Sequence, residues 1–100
     1  MEETVEATFT AEVWYWRGPA PWYFVTVPED VCLDIQELSG RVSYGWGMIP
    51  ATVTVGESTW TTSLFPKDGS YVVPLKTQMR RRERIEDGQM ISLALAVPGS

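Results

Sequence analysis

An alternation of apolar and polar residues near the start of the chain constrains the fold more than any other feature. The apolar positions of this segment are Val5, Ala7, Phe9, Ala11, Val13 and Tyr15. The residues between them, from Glu6 to Glu12, are acidic or carry hydroxyl groups. A period of two over this length is typical of a β-strand that buries one face. The pattern therefore predicts a long first strand over residues 5–17.

Turn signals divide the rest of the chain into five more strands and two helices. The predicted strands occupy residues 22–27, 46–55, 59–65, 71–75 and 89–97. The segment from Pro28 to Asp30 indicates a helix start, and Gly40 is expected to end that helix. A second, shorter helix is predicted over residues 77–84. The order of elements is then ββαβ followed by a second ββαβ.

This order favours a mostly β fold in a single domain. A chain of 100 residues with 44% apolar residues has the size and composition of one globular domain over residues 1–100, with a core over about 5–97. Closing six strands into a barrel is the economical way to hide their edges. We therefore expect a six-stranded barrel, built from two ββαβ halves, with two short helices at its ends.

The composition also excludes several kinds of site. The chain has no histidine and a single cysteine, Cys32. A zinc site of the usual ligand types, a catalytic triad and an internal disulfide all need residues that it lacks. No catalytic residue, metal or cofactor is therefore predicted. Cys32 is expected to be a small buried apolar residue.

The start of the chain lacks the pattern of a signal peptide. The chain begins Met-Glu-Glu-Thr, which is acidic where a signal peptide needs basic and then apolar residues. The longest apolar runs, such as 22–27, are far shorter than a membrane span. We therefore predict a cytoplasmic protein with no membrane partner.

Several short stretches of the chain form a distinctive set. They are Gly45-Trp46-Gly47-Met48-Ile49-Pro50, Trp60-Thr61-Thr62-Ser63-Leu64-Phe65-Pro66-Lys67, Tyr71-Val72-Val73-Pro74-Leu75-Lys76, Met79-Arg80 and Asp87-Gly88. This set resembles one bacterial family, which is known only as domain of unknown function 1905. Phe9, Trp22 and Val27-Pro28 also fit, so the resemblance covers about residues 5–97. Arg84 departs from the family pattern, in which a small residue or glycine is expected.

The resemblance implies a double-split β-barrel, distantly similar in shape to the swapped-hairpin proteins AbrB and MazE. Those proteins build the barrel from two chains and often bind DNA or an antitoxin partner. Here one chain carries both halves. The family has no assigned activity, so the resemblance implies a fold and leaves the function open.

The basic residues are concentrated late in the chain and suggest an anion site. Residues 67–84 contain six bases and two acids, whereas residues 1–40 contain eight acids and only one base. Lys67 and Lys76 are expected at the same end of one hairpin, close to the start of the second helix. The predicted anion site consists of Thr62, Ser63, Lys67, Lys76 and Arg80. The alternative is that these charges, together with Arg81, Arg82 and Arg84, are only a solvated surface.

The tryptophans suggest a second candidate surface. Trp14 and Trp16 fall on the polar phase of the first strand, so they are expected to form a partly exposed patch for a partner or a second copy. The alternative is that both faces of this hairpin are covered. Trp46 and Trp60 are expected to be buried.

Three classes of function remain open. The leading hypothesis is a non-catalytic binding module for a small anionic ligand or a protein partner, acting as a monomer or weak homodimer. The second is nucleic-acid binding, which the net charge of −5 opposes because phosphate neutralisation carries most non-specific affinity. The third is an enzyme that uses Lys67 or Lys76 with a carboxylate. No residue pattern in the sequence supports this third class.

Overall fold

A computed structural model describes residues 4–19, 21–42 and 48–98 of the chain; for residues 38–42 it describes the backbone alone. Six strands and two helices follow one another in the predicted order. They are β1 (Thr4–Trp16), β2 (Trp22–Thr26), α1 (Glu29–Val42), β3 (Ile49–Val55), β4 (Ser58–Lys67), β5 (Ser70–Pro74), α2 (Thr77–Arg82) and β6 (Met90–Pro98).

The strands close into a barrel in the order β1-β2-β5-β4-β3-β6, and every neighbouring pair is antiparallel. The two ββαβ halves exchange their last strands. β3 of the first half pairs with β4 of the second, and β6 of the second half pairs with β1 of the first. Neither half is therefore a closed unit, and the predicted six-stranded barrel is confirmed.

Alternate residues of each strand fill the interior, as the period of two predicts. On β3 and β6 the buried positions are Ile49, Ala51, Val53, Val55, Ile91, Leu93, Leu95 and Val97. Val13, Val25 and Val73, from three other strands, are completely buried as well. Val25 pairs with both Val13 and Val73, so three adjacent strands share one layer of the core.

The helices begin at opposite ends of the barrel. β2 and β5 are antiparallel neighbours; α1 follows the end of β2, and α2 follows the end of β5. α1 buries Val31, Cys32 and Ile35 against the core, and the Cys32 thiol donates a hydrogen bond of 3.4 Å to the Val27 carbonyl. Burial of Cys32 is thus confirmed. Neither described helix is long and apolar enough to cross a membrane.

One predicted boundary is wrong, and others shift by a few residues. α1 continues through Gly40 to Val42. A glycine inside a helix costs about 1 kcal/mol relative to alanine, but it ends a helix only where the backbone turns left-handed. α2 ends at Arg82 rather than at residue 84. Of the predicted third strand, residues 46 and 47 lie outside the described residues.

Positive backbone φ angles mark the tight turns. Asp68 and Gly69, with φ angles of 51° and 81°, join β4 to β5 as a two-residue hairpin turn. Arg84 has a φ of 55° just after α2. Its N–H donates to the Arg81 carbonyl, and the N–H of Ile85 donates to the Arg80 carbonyl. These two bonds form a Schellman motif, in which the left-handed position is usually glycine. The backbone therefore explains why a glycine or small residue is expected where Arg84 stands.

We predict that Arg84→Gly stabilises the fold. The arginine side chain is exposed, so its loss removes no packing, while glycine adopts a positive φ without steric cost. The net gain should be up to about 1 kcal/mol, or a rise of about 4–8 °C in the midpoint of thermal unfolding per kcal/mol. The matched control is Arg82→Gly inside α2, which should lower the midpoint. A midpoint for Arg84→Gly at or below that of the parent would contradict the prediction.

We also predict a stable monomer, because one chain supplies all six strands of the closed barrel. Light scattering should give the mass of one chain across a hundredfold dilution. The unfolding midpoint should likewise not depend on protein concentration. An obligate dimer that unfolds in a single concentration-dependent step would show that the barrel closes between chains.

Candidate functional site

A pocket on the outside of the barrel brings together residues from three adjacent strands. Its volume is about 310 Å³, and its lining residues are Trp22, Thr62, Phe65, Pro74 and Lys76. Trp22 begins β2, Pro74 ends β5, and the other two strand residues lie on β4. Lys76 lies two residues after the end of β5. We call this site the Trp22–Lys76 pocket.

The strand register explains why apolar side chains point outward here. Val25 and Val73 pair with each other inside the barrel, so their neighbours Phe24 and Pro74, which also pair, must face outward. The same alternation turns Trp22 outward on β2. Phe65 is likewise out of phase with the buried Leu64 on β4. Trp22 and Phe65 each remain 39% exposed, so two aromatic rings are accessible beside one pocket.

Lys76 supplies the positive charge of the pocket. Its side chain is exposed, and within the described part of the chain it has no ion-pair partner. Thr62, which is half-buried, is the hydroxyl-bearing residue in the lining. Two of the five predicted anion-site residues, Thr62 and Lys76, therefore share one pocket.

The expectation that Lys67 and Lys76 share one end of a hairpin is wrong. Lys67 pairs with Ser70 beside the turn, whereas Lys76 follows Pro74 at the other end of β5. The ammonium nitrogen of Lys67 lies 3.6 Å from a carboxylate oxygen of Asp68 and 4.4 Å from the ring centroid of Trp16. Lys67 is thus already engaged by an acid and an aromatic ring, and it does not line the pocket.

Arg80 occupies a different setting from that of Lys76. Its guanidinium carbon lies 4.0 Å from the centroid of Tyr23, whose ring is 4.8 Å from that of Tyr15. The Nε of Arg80 is buried and has no hydrogen-bond partner among the described residues. The stacking on Tyr23 holds the guanidinium plane in one orientation. Arg80 and Ser63 are both outside the lining of the pocket.

The two tryptophans of the predicted partner surface differ in their surroundings. Trp14 is half-buried; its Nε1 donates a hydrogen bond of 3.0 Å to Thr26 Oγ1, and its ring lies 5.2 Å from that of Phe24. Trp16 is 38% exposed. The expected partial exposure is therefore confirmed, while a partner for this surface stays a prediction. The burial expected of Trp60 is confirmed at 5% exposure, and Trp46 lies outside the described residues.

One hydroxyl–carboxylate contact has a structural role. Ser58 Oγ donates a hydrogen bond of 2.6 Å to Glu83 Oε2, and a Cβ on Gly56 would overlap the same carboxylate. The hydrogen bond connects the end of α2 to the start of β4. Because Ser58 is only 1% exposed, a substrate cannot reach its hydroxyl. Among the described residues, no group of three His, Cys, Asp or Glu side chains could hold a metal ion.

Sequence reasoning missed three residues of the pocket, namely Trp22, Phe65 and Pro74. A signal for two of them was present, because the alternation of β2 and β4 places Trp22 and Phe65 out of phase with buried neighbours. What the alternation cannot show is which strands lie side by side. β2 pairs with β5, from the other half of the chain, and this pairing assembles the pocket.

We predict that the tryptophans differ in their access to solvent. Three variants, each of which retains a single tryptophan, test this difference. Acrylamide should quench the fluorescence of Trp16 and Trp22 strongly, because they are 38% and 39% exposed, and that of Trp60 weakly, because it is 5% exposed. Equal protection of all three indoles in variants with an unchanged circular dichroism spectrum would contradict the exposed aromatic surface.

A family model matches most of the chain. Its description is Domain of unknown function (DUF1905), and the match covers residues 9–95. All five residues that line the pocket fall within the match. A comparison with curated proteins gave no match.

Proposed function

The chain belongs to this family of domains of unknown function, and we propose that it is a non-catalytic binding module for a small organic anion. The ligand lies in the Trp22–Lys76 pocket, with its apolar part against the aromatic rings and its charge beside Lys76. The observation that carries the proposal is the convergence of apolar walls, in this pocket, on a lysine without an ion-pair partner among the described residues.

The size and lining of the pocket support a small ligand. Binding sites for small molecules commonly enclose about 300–1,000 Å³ and combine apolar walls with a few polar groups. The pocket, at about 310 Å³, lies at the lower limit of that range. Trp22, Phe65 and Pro74 supply the apolar walls, and Thr62 and Lys76 are the polar members.

The apolar walls strengthen the attraction that Lys76 exerts on an anion. A ligand that displaces water from the apolar walls lowers the screening of the exposed Lys76 ammonium, so the interaction of this group with the anion becomes stronger. The flexible stem of a lysine can lie along an apolar wall while the charge meets the ligand. A surface lysine without such walls would contribute little.

A protein partner is the second candidate, and the aromatic hairpin favours it. Tyr15 and Trp16 are each 38% exposed near the end of β1. Lys67 already covers part of the Trp16 ring, which reduces the surface left for a partner. We therefore place the small anion first. Nucleic acid ranks below both, because the net charge of −5 repels a phosphate backbone.

The test is a thermal-shift screen with organic anions and their uncharged amides. An anion at a hundred times its dissociation constant should stabilise the protein by about 2.7 kcal/mol. The matching amide at the same concentration should stabilise it less. Lys76→Ala should abolish the difference between anion and amide, because it removes the positive charge of the pocket.

Arg82→Ala is the matched control, since it removes one exposed positive charge outside the pocket. It should respond to the anions as the parent protein does. If Lys76→Ala keeps the full response, or if no organic anion raises the midpoint above that in equimolar chloride, the proposed function is wrong.

A further inference from the structure

We infer that the ligand of the Trp22–Lys76 pocket is a planar aromatic ring that carries a single carboxylate. This inference rests on the proposed function and narrows it from organic anions in general to one chemical class. Three features of the pocket support it: the two aromatic walls, the number of polar donors, and the volume.

The aromatic walls favour a planar ring over a saturated one. Trp22 and Phe65 are both 39% exposed and line the same pocket from strands β2 and β4. The faces of such rings carry a negative quadrupole and their edges a positive one, so another aromatic ring gains by stacking in an offset or edge-to-face arrangement. A saturated ring of the same size gains only from the burial of its surface.

The charge of the lining matches one carboxylate and falls short of a phosphate. Lys76 is the single cation among the described residues that line the pocket. Pro74, on the strand between those of Trp22 and Phe65, has no backbone N–H to donate. The other two cations of the predicted anion site contact other groups, Lys67 with Asp68 and Arg80 with the Tyr23 ring. Lys76 alone can therefore neutralise a single carboxylate, whereas a doubly charged phosphate would keep one uncompensated charge.

The volume matches a ligand of one or two rings. A water molecule takes up about 30 Å³ in the liquid, so a pocket of about 310 Å³ has the space of roughly ten waters. A benzene or naphthalene ring with a carboxylate fits this space.

The experiment titrates the full chain with four probes and follows each by isothermal calorimetry and by the heteronuclear NMR spectrum. The probes are 2-naphthoate, its saturated decalin carboxylate, 2-naphthamide and 2-naphthyl phosphate. We expect naphthoate to bind about threefold to tenfold more tightly than the saturated acid, which is the usual gain from an aromatic pair. The amide, which has no charge to pair with Lys76, should bind at least about tenfold more weakly.

Two variants assign these preferences to named side chains. Trp22→Leu should bring naphthoate and the decalin carboxylate to similar affinities and leave the preference for acid over amide. Lys76→Gln should remove the preference for acid over amide and leave the preference for the aromatic ring. Trp16→Leu is the matched control, because it removes an equally exposed indole that does not line the pocket. An unchanged circular dichroism spectrum establishes that each variant is folded.

The outcomes separate this inference from the proposed function. Equal binding of the saturated and aromatic acids by the parent protein would overturn the aromatic class, and tighter binding of the naphthyl phosphate would overturn the single carboxylate. Either result leaves the binding of organic anions at Lys76 in place. Binding of an aromatic acid that is unaffected by both Trp22→Leu and Lys76→Gln would place the ligand elsewhere and overturn the inference and the proposed function together.

Discussion

Closure of the barrel is the constraint on which the rest of the structure depends. An open sheet leaves two strands with unpaired backbone groups, and closure pairs them. In this chain closure requires that the halves exchange strands, so that β3 lies beside β4 and β6 lies beside β1. The core is therefore shared between the halves: Val25 of the first half packs in one layer with Val73 of the second. A change that weakened one half would expose the interior of the other.

The same constraint decides which side chains face solvent. The interior is filled by apolar side chains, and the helices begin at the two ends of the barrel. What remains accessible is the outer face, where β2, β5 and β4 lie side by side. Each residue that points inward forces its neighbours outward, so the buried pair Val25 and Val73 indirectly sets the position of Trp22 and Pro74. The pocket is thus a consequence of the packing of the core.

The fold was largely predictable because its signals are local. The period of two and the turn signals located the six strands to within three residues at each end where the structure describes them. Arg84, which departs from the family pattern, has a φ of 55°. The candidate site was predictable only in part. Thr62 and Lys76 meet in one pocket, but Lys67 lies at the other end of β5, because a five-residue strand separates its ends by about 3.3 Å per residue.

The sequence by itself determined which face of each strand is apolar, where the chain turns, and that chemistry based on histidine or paired cysteines is excluded. These properties depend on residue types and on spacings of a few positions, so they can be read along the chain. Only the tertiary structure decided that β2 lies beside β5, that Trp22 and Phe65 line a common pocket, and that Lys76 lines this pocket while Lys67 and Arg80 contact aromatic rings. Those contacts join residues up to 57 positions apart in the sequence, as Arg80 and Tyr23 are. Their partners are chosen by barrel closure, which is a property of the whole chain and is absent from any short segment of it.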